Sequence, residues 1–283
     1  MITSVFVRQE GMVCDFASSE PWVILTPIEQ SIKRKIETVG TPLKDWDIQI
    51  YRGVLTGCNE AFIISTEKRD EILANCQSDD ERKRTDELIR PILRGRDIKR
   101  YSYDWAGLWL IATFPSKHYD IEKYPAVKEY LLSFGMERLE QTGRTYTING
   151  ETIKARKKTN NKWFETQDSI SYWEDFFKPK IFYADITSHL CFCECNDIMF
   201  CNNTTYFMIS LKEKFPNHLK EYLNSKLIDW YYRTLSVQLG EKAVRMFSIY
   251  VLKIPIPKII NGDIYHTYGI TKEEQIFIEN LYY

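Results

Sequence analysis

The residues best equipped for chemistry in this chain are its clustered cations. Arg94-Gly95-Arg96-Asp97-Ile98-Lys99-Arg100 sets four cations against one acid, and the run from Lys154 to Lys162 holds five cations (Lys154, Arg156, Lys157, Lys158, Lys162) and no acid. Such groups bind phosphates, because each phosphate they neutralise releases condensed counterions. The second run leaves a two-stranded hairpin, narrow enough to enter a major groove. A lysine-rich hairpin is equally a soluble edge protected against strand pairing, and both readings stand. Gln238, Lys242 and Arg245, around Gly240, add side chains that can read adenine or guanine edges, although a solvated loop after a helix would carry the same residues.

Other chemistries find less support. Asp70 with Glu81-Arg82-Lys83 fits the loose spacing of a metal-dependent nuclease, but acids and bases at such intervals arise on any solvated helical face. Cys191, Cys193, Cys195 and Cys201 could close a zinc site. Alternate residues of a strand point to one face, however, so small apolar cysteines lining a core are the preferred reading. Methyl transfer to a nucleic-acid amine needs a glycine-rich cofactor turn and a polar-Pro-Pro-aromatic loop. The sequence has neither, so no catalytic and no metal-binding residue is assigned.

The elements that must position these residues mix helices and strands. Thr26 caps a helix that Pro27 starts and Gly40 ends, with Ile28, Ile32, Ile36 and Val39 on one face. Strands are expected at Asp47–Tyr51, Ala61–Ile64, Leu108–Ala112, Lys180–Ile186, Leu190–Cys195 and Thr205–Ile209. Helical spacing covers Thr66–Leu88, with a break near Ser78-Asp79-Asp80, the segment from Pro125, and Leu219–Leu235. Asn149-Gly150 between two β-prone runs is a strong hairpin signal, since both residues tolerate positive φ. Ile254-Pro255-Ile256-Pro257 is extended. Without regular βαβ alternation the class is α+β.

A chain of 283 residues with 44% apolar content can bury a sizeable core. Its net charge of -1 carries no global basic excess, so any nucleic-acid surface must be a local patch. Seven cysteines in no disulfide framework suit a reducing cytoplasm. No stretch approaches the roughly 18 apolar residues of a membrane helix. The expected division is a leader with one helix over residues 1–45, one domain over 46–260 and a tail over 261–283.

An ordered series of motifs narrows the reading. Gly53-Val54-Leu55-Thr56-Gly57-Cys58-Asn59-Glu60-Ala61-Phe62 resembles the Gly-x-x-Thr-Gly-x-Asn-x-Ala-Phe signature that opens the TaqI-like C-terminal specificity domain. The segment from Ile89 to Tyr101 resembles that family's Pro-x-Leu-Arg-Gly-Arg-Asp-Ile stretch. Trp163-Phe164-Glu165 with Gln167, Lys178-Pro179-Lys180-Ile181, Leu223-Asn224-Ser225-Lys226 and Ile254-Pro255-Ile256-Pro257 follow in the family's order.

The resemblance implies a target-recognition domain that grips double-stranded DNA beside an adenine-N6 methyltransferase domain or subunit. That catalytic partner would hold S-adenosylmethionine, and no cofactor is expected in this chain. Met1 lies too near Gly53 to leave room for a methyltransferase domain, so the expectation is an excised piece or a separate specificity subunit. The DNA-binding candidates are Arg52, Asn59, Arg94, Arg96, Lys99, Arg100, Lys154, Arg156, Lys157, Lys158, Gln238, Lys242 and Arg245. Arg94 and Arg96 could instead pair with Asp97 or another carboxylate, and Asn59 could simply brace its own turn. A different class, a protein-interaction subunit docking on a methyltransferase or nuclease, stays open through aromatics such as Trp105, Trp109, Trp230, Tyr231 and Tyr232.

Overall fold

A computed structural model describes residues 25–281 apart from 213, 237, 240 and 241. The start of the expected leader, the end of the tail and Gly240 therefore lie outside the described residues. Along the chain the strands are β1 (Thr41–Pro42), β2 (Ile48–Arg52), β3 (Ile63–Ser65), β4 (Ile89–Leu93) and β5 (Leu108–Ile111). Next come β6 (Thr145–Ile148), β7 (Glu151–Lys154), β8 (Lys180–Ala184), β9 (Ile186–Thr187) and β10 (Phe192–Cys195). The last are β11 (Phe200–Cys201), β12 (Thr205–Ser210), β13 (Gln238–Leu239), β14 (Ala243–Arg245) and β15 (Pro255–Ile256). With helices interspersed irregularly, the class is α+β.

Two four-stranded sheets organise the molecule. The antiparallel sheet β10-β8-β12-β2 runs through its middle. Period-two alternation sends Phe182 and Phe207 to one core, and Ile181, Tyr183, Tyr206 and Met208 to the other. With both faces buried, β8 and β12 read as continuous apolar runs rather than alternating ones. The second sheet, β11-β4-β5-β3, pairs β11 parallel to β4 and the rest antiparallel. Its residues build the first core with helices Thr66–Ala74, Asp79–Leu88 and Pro125–Leu132.

The helix Pro27–Val39 forms as its sequence dictates. Glu29 accepts the Thr26 amide at 2.8 Å while the Thr26 hydroxyl accepts the Glu29 amide, closing the capping box. Ile32 and Ile36 are fully buried in the second core, whereas Val39 turns outward. That core also takes Tyr268 and Ile278 from the C-terminal segment, and Ser31 and Lys35 both reach Glu274 at 2.7 Å. The first and last helices among the described residues thus share one core with the middle of the chain.

Several elements differ from the sequence reading for local reasons. Asn59–Phe62 is a helical turn, and the strand begins only at Ile63. Leu219–Leu235 is two helices, Leu219–Leu223 and Lys226–Leu235. The break is made by side chains that compete for backbone. Asn224 exchanges two 2.8 Å bonds with the Phe192 amide and carbonyl, and Ser225 caps the second helix through the Ile228 amide. Cys193, Cys195 and Cys201 are buried core thiols, and burial pushes Cys193 up to about 12.

The expected hairpin is present as β6–β7, with φ of 49° at Asn149 and 84° at Gly150. No helix among the described residues is long and apolar enough to cross a membrane.

Candidate nucleic-acid interface

The two sheets meet where three chain segments cross. Gly53 donates to the Thr205 carbonyl at 2.8 Å, Val54 to Cys201 at 2.7 Å, and Asn202 to Leu93 at 2.9 Å. These bonds tie the ends of β2 and β4 to the turn between β11 and β12. The turn side chains complete the knot: the Thr204 hydroxyl accepts the Gly95 amide at 2.9 Å and donates to Asn202 Oδ1 at 2.6 Å. Glycine is required by close approach, since a Cβ on Gly53 would sit 2.1 Å from the Asn202 carbonyl oxygen and one on Gly95 2.6 Å from that of Thr204.

Above this knot opens a cleft of about 720 Å³. Asn59, Arg94 and Arg96 line it from the first half of the chain, and Asp185, Asn202 and Thr204 from the second. Thr56 donates to Asn59 Oδ1 at 2.7 Å and accepts the Cys58 amide at 3.2 Å, so Asn59 does brace its own turn, with Nδ2 remaining as a donor. Arg94 forms a fork on Asp97, Nε to Oδ2 at 3.0 Å and Nη2 to Oδ1 at 2.8 Å. Those bonds raise the Arg94 guanidinium above its ordinary value. The internal pairing with Asp97 is therefore real, and Arg94 keeps Nη1 for a ligand. Arg96, by contrast, is exposed.

Two further candidates gather on the rim. Arg245 pairs with Asp185 at 3.2 Å, and Arg52 donates to the Asn203 carbonyl at 3.1 Å. Both lie close enough to Tyr206 to oppose the rise that burial imposes on its hydroxyl. Asp185 reaches the cleft because the expected strand Lys180–Ile186 ends at Ala184. The chain turns there into a separate ribbon, β13-β14-β9.

The other candidates lie apart from the cleft lining. Lys99 and Arg100 are exposed and run toward Cys191, whose thiol they hold down against the rise that burial causes. Lys154 sits on β7, with Lys157 and Lys158 exposed just beyond it. Gln238 and Lys242 are exposed around β13.

Arg156 requires a correction. Only 4% exposed, it donates to the carbonyls of Leu139, Thr56, Glu165 and Trp163 at 2.6–2.8 Å. Burial pulls its guanidinium down to about 10. With four of its five N–H groups on backbone carbonyls and the side chain buried, it is out of reach of a phosphate; it is the brace that fastens the β6–β7 ribbon to the turn before Asn59.

Glu81, half of the nuclease alternative, is also structural. It is buried and accepts the Gln77 and Ala126 amides at 2.8 and 3.0 Å, while Asp70 is an exposed partner of Arg69.

Asp185, Asn202 and Thr204 escaped sequence reasoning. The one local signal was the polar Asn202-Asn203-Thr204 turn between apolar strands.

Residues 90–256, more than half of the chain, match the model of the TaqI-like C-terminal specificity domain. The chain belongs to that family. The matched span takes in Arg94, Arg96, Asp185, Asn202, Thr204 and Arg245, whereas Arg52 and Asn59 precede it. This specificity domain is 24% identical over 243 residues to the type II methyltransferase M.PaeR7I of Pseudomonas aeruginosa, covering 85% of the chain and 34% of that protein. It thus spans about a third of that relative's length. Similar solved structures include the type IIG restriction endonuclease BpuSI, at 11% identity and a TM-score of 0.49 over 88% of this chain and 28% of that one. The type IIL restriction-modification enzyme MmeI in complex with DNA gives 12% identity and a TM-score of 0.47 over 75% and 25%.

Proposed function

We propose that this specificity domain reads a double-stranded DNA target for an adenine-N6 methyltransferase domain or subunit, within a modification enzyme or a fused type II restriction-modification enzyme. One observation carries the reading. A cleft joins Asn59, Arg94 and Arg96 to the Asn202–Thr204 turn, with Glu60 and Asp185 as its carboxylates and Arg52 and Arg245 on its rim. In a chain of net charge -1, that is a local concentration of groups suited to phosphates and base edges. Arg96, Lys99 and Arg100 extend it as exposed cations.

S-adenosylmethionine, the methyl donor for such a reaction, belongs in this reading to the catalytic partner. The present chain offers no glycine-rich strand-to-helix turn or Pro-Pro dipeptide to hold a cofactor and target amine.

A salt titration tests the proposal. Binding of fluorescent duplex is followed from low to physiological salt for the wild type and for Arg96→Gln/Lys99→Gln/Arg100→Gln. The slope of log affinity against log salt should become shallower by about 0.9 for each phosphate that the segment no longer neutralises. An unchanged slope and affinity would remove this segment from the interface.

A second task is favoured by a different feature. Register places Ile186 opposite Arg245 and Leu239 opposite Ala243, so both apolar side chains share one face of the β13-β14-β9 ribbon. They are 48% and 38% exposed, and Phe247 lies beyond them at 36%. Such a strip suits a protein partner. Co-elution with a methyltransferase in gel filtration, abolished by Ile186→Ser/Leu239→Ser, would support docking; co-elution unaffected by that change would rule out this strip.

A further inference from the structure

At the opposite end of β4 from Arg94 lies a second cleft, of about 270 Å³. With extended residues rising about 3.3 Å each, the two openings are roughly 13 Å apart along the strand. Arg84 from helix Asp79–Leu88, Arg90 from β4 and Lys117 from the turn Pro115–Lys117 all line it. Glu87 is the one carboxylate among the lining residues, and none of the three cations has an ion-pair partner among the described residues.

The walls are aromatic. Trp173 and Phe177 stand edge to face at 6.0 Å, and Tyr119 and Tyr124 at 5.9 Å. Lys117 Nζ is held 3.5 Å from the Trp173 ring centroid, and the Arg90 guanidinium 5.5 Å from that of Phe177. These contacts fix the cations without neutralising them. Burial pushes the Tyr119 hydroxyl up to about 12, so it remains a donor at neutral pH.

The cavity therefore combines three cations, a single carboxylate and flat aromatic walls. A ligand that complements it carries a compact anion and a planar ring. Its volume falls just below the roughly 300–1,000 Å³ range of small-molecule clefts, which restricts it to a single such unit.

We infer that this second cleft binds a phosphorylated nucleoside, its phosphate held by Arg90, Lys117 and Arg84 and its base packed against the Phe177 and Tyr119 walls. The unit is either a free nucleotide or one unpaired nucleotide of a DNA strand. Arginine and lysine supply charge-assisted bonds to the phosphate, and the aromatic walls accept any base because every base has a π-face. The inference stands independently of duplex reading at the first cleft.

Calorimetric titration of the full chain with 5′-AMP, inorganic phosphate and a short oligothymidylate tests it. At least one of the two nucleotide probes should saturate at one site per chain with a dissociation constant below about 1 mM. Inorganic phosphate should bind more weakly by about tenfold or more, because it lacks the stacking ring. Tighter binding of the oligonucleotide than of 5′-AMP would assign the site to a strand, and the reverse order to a free nucleotide.

Arg90→Gln/Lys117→Gln should weaken the nucleotide that binds by at least about tenfold. The Arg96→Gln/Lys99→Gln/Arg100→Gln protein should keep wild-type 5′-AMP affinity, which separates failure here from failure of duplex binding. Lys117→Gln alone, at a partly exposed position, serves if the double variant does not fold, and should weaken binding in the same direction. Absence of saturable heat for both nucleotide probes up to about 10 mM, or wild-type affinity in a folded variant, would overturn the inference.

Discussion

Arg156 Nη1 donates to the Thr56 carbonyl at 2.8 Å, joining positions 100 residues apart in the chain. Through this bond the β6–β7 ribbon is fastened to the turn that presents Asn59, so a cation that reads as a phosphate contact in sequence is part of the scaffold behind the cleft.

Arg156→Met should therefore destabilise the fold, by about 3 kcal/mol or more, because four buried carbonyls are deprived of a charged donor together. Arg156→Lys should restore only part of that stability, since an ammonium cannot reproduce the planar fork. Urea denaturation measures both, and a change within about 0.5 kcal/mol of wild type would contradict the bracing role.

The exposed lysines of the ribbon are the complementary case. Neutralising Lys154, Lys157 and Lys158 together, with Arg156 left intact, should not alter thermal stability. If the ribbon touches DNA, the salt slope of duplex binding falls by about 2–3, as three phosphates are no longer neutralised; an unchanged slope would leave these lysines as a solubilised edge.

Thr204→Val keeps the shape of the side chain and removes the hydroxyl that links Gly95 to Asn202. A decrease of about 1–3 kcal/mol in stability is expected, from an amide left without its acceptor. Duplex affinity should also weaken as Arg94 and Arg96 fall out of alignment. Affinity unchanged in a folded protein would show that the floor of the cleft does not position its arginines.

Acid stability should depend on Glu274. Burial works against its charged form, yet bonds from Lys35, the Thr271 amide and Ser31 together hold the carboxyl down at about 2, below its ordinary 4.5. A depressed carboxyl contributes stability above its unfolded value and loses it as pH falls toward its folded value. Wild-type stability should thus drop by roughly 2–3 kcal/mol more than that of Glu274→Gln between pH 4.5 and 2. Parallel pH profiles for the two proteins would refute the assignment.

The capping box at Thr26 and the hairpin at Asn149-Gly150 were legible because their signals are local and their residue chemistry admits few alternatives. Asn224 shows the limit. Its bonds to Phe192 interrupt what periodicity alone reads as one helix, and that partner is 32 residues away. The candidate site divides in the same way. Arg94 and Arg96 were visible as local charge, whereas Asp185, Asn202 and Thr204 reach the cleft only through the crossing of β8, β11 and β12. Arg156 failed for the converse reason: sequence gives a side chain's charge but not its burial.

The most direct test is whether the chain selects a sequence. Duplexes retained from a randomised pool would be sequenced, first for the wild type and then for Asn59→Ala and Arg96→Gln. The expected result is enrichment of one short motif containing adenine, with preference relaxed at one or a few positions in each variant. Retention of duplexes with no enriched motif, or no retention at all, would contradict target recognition by this domain.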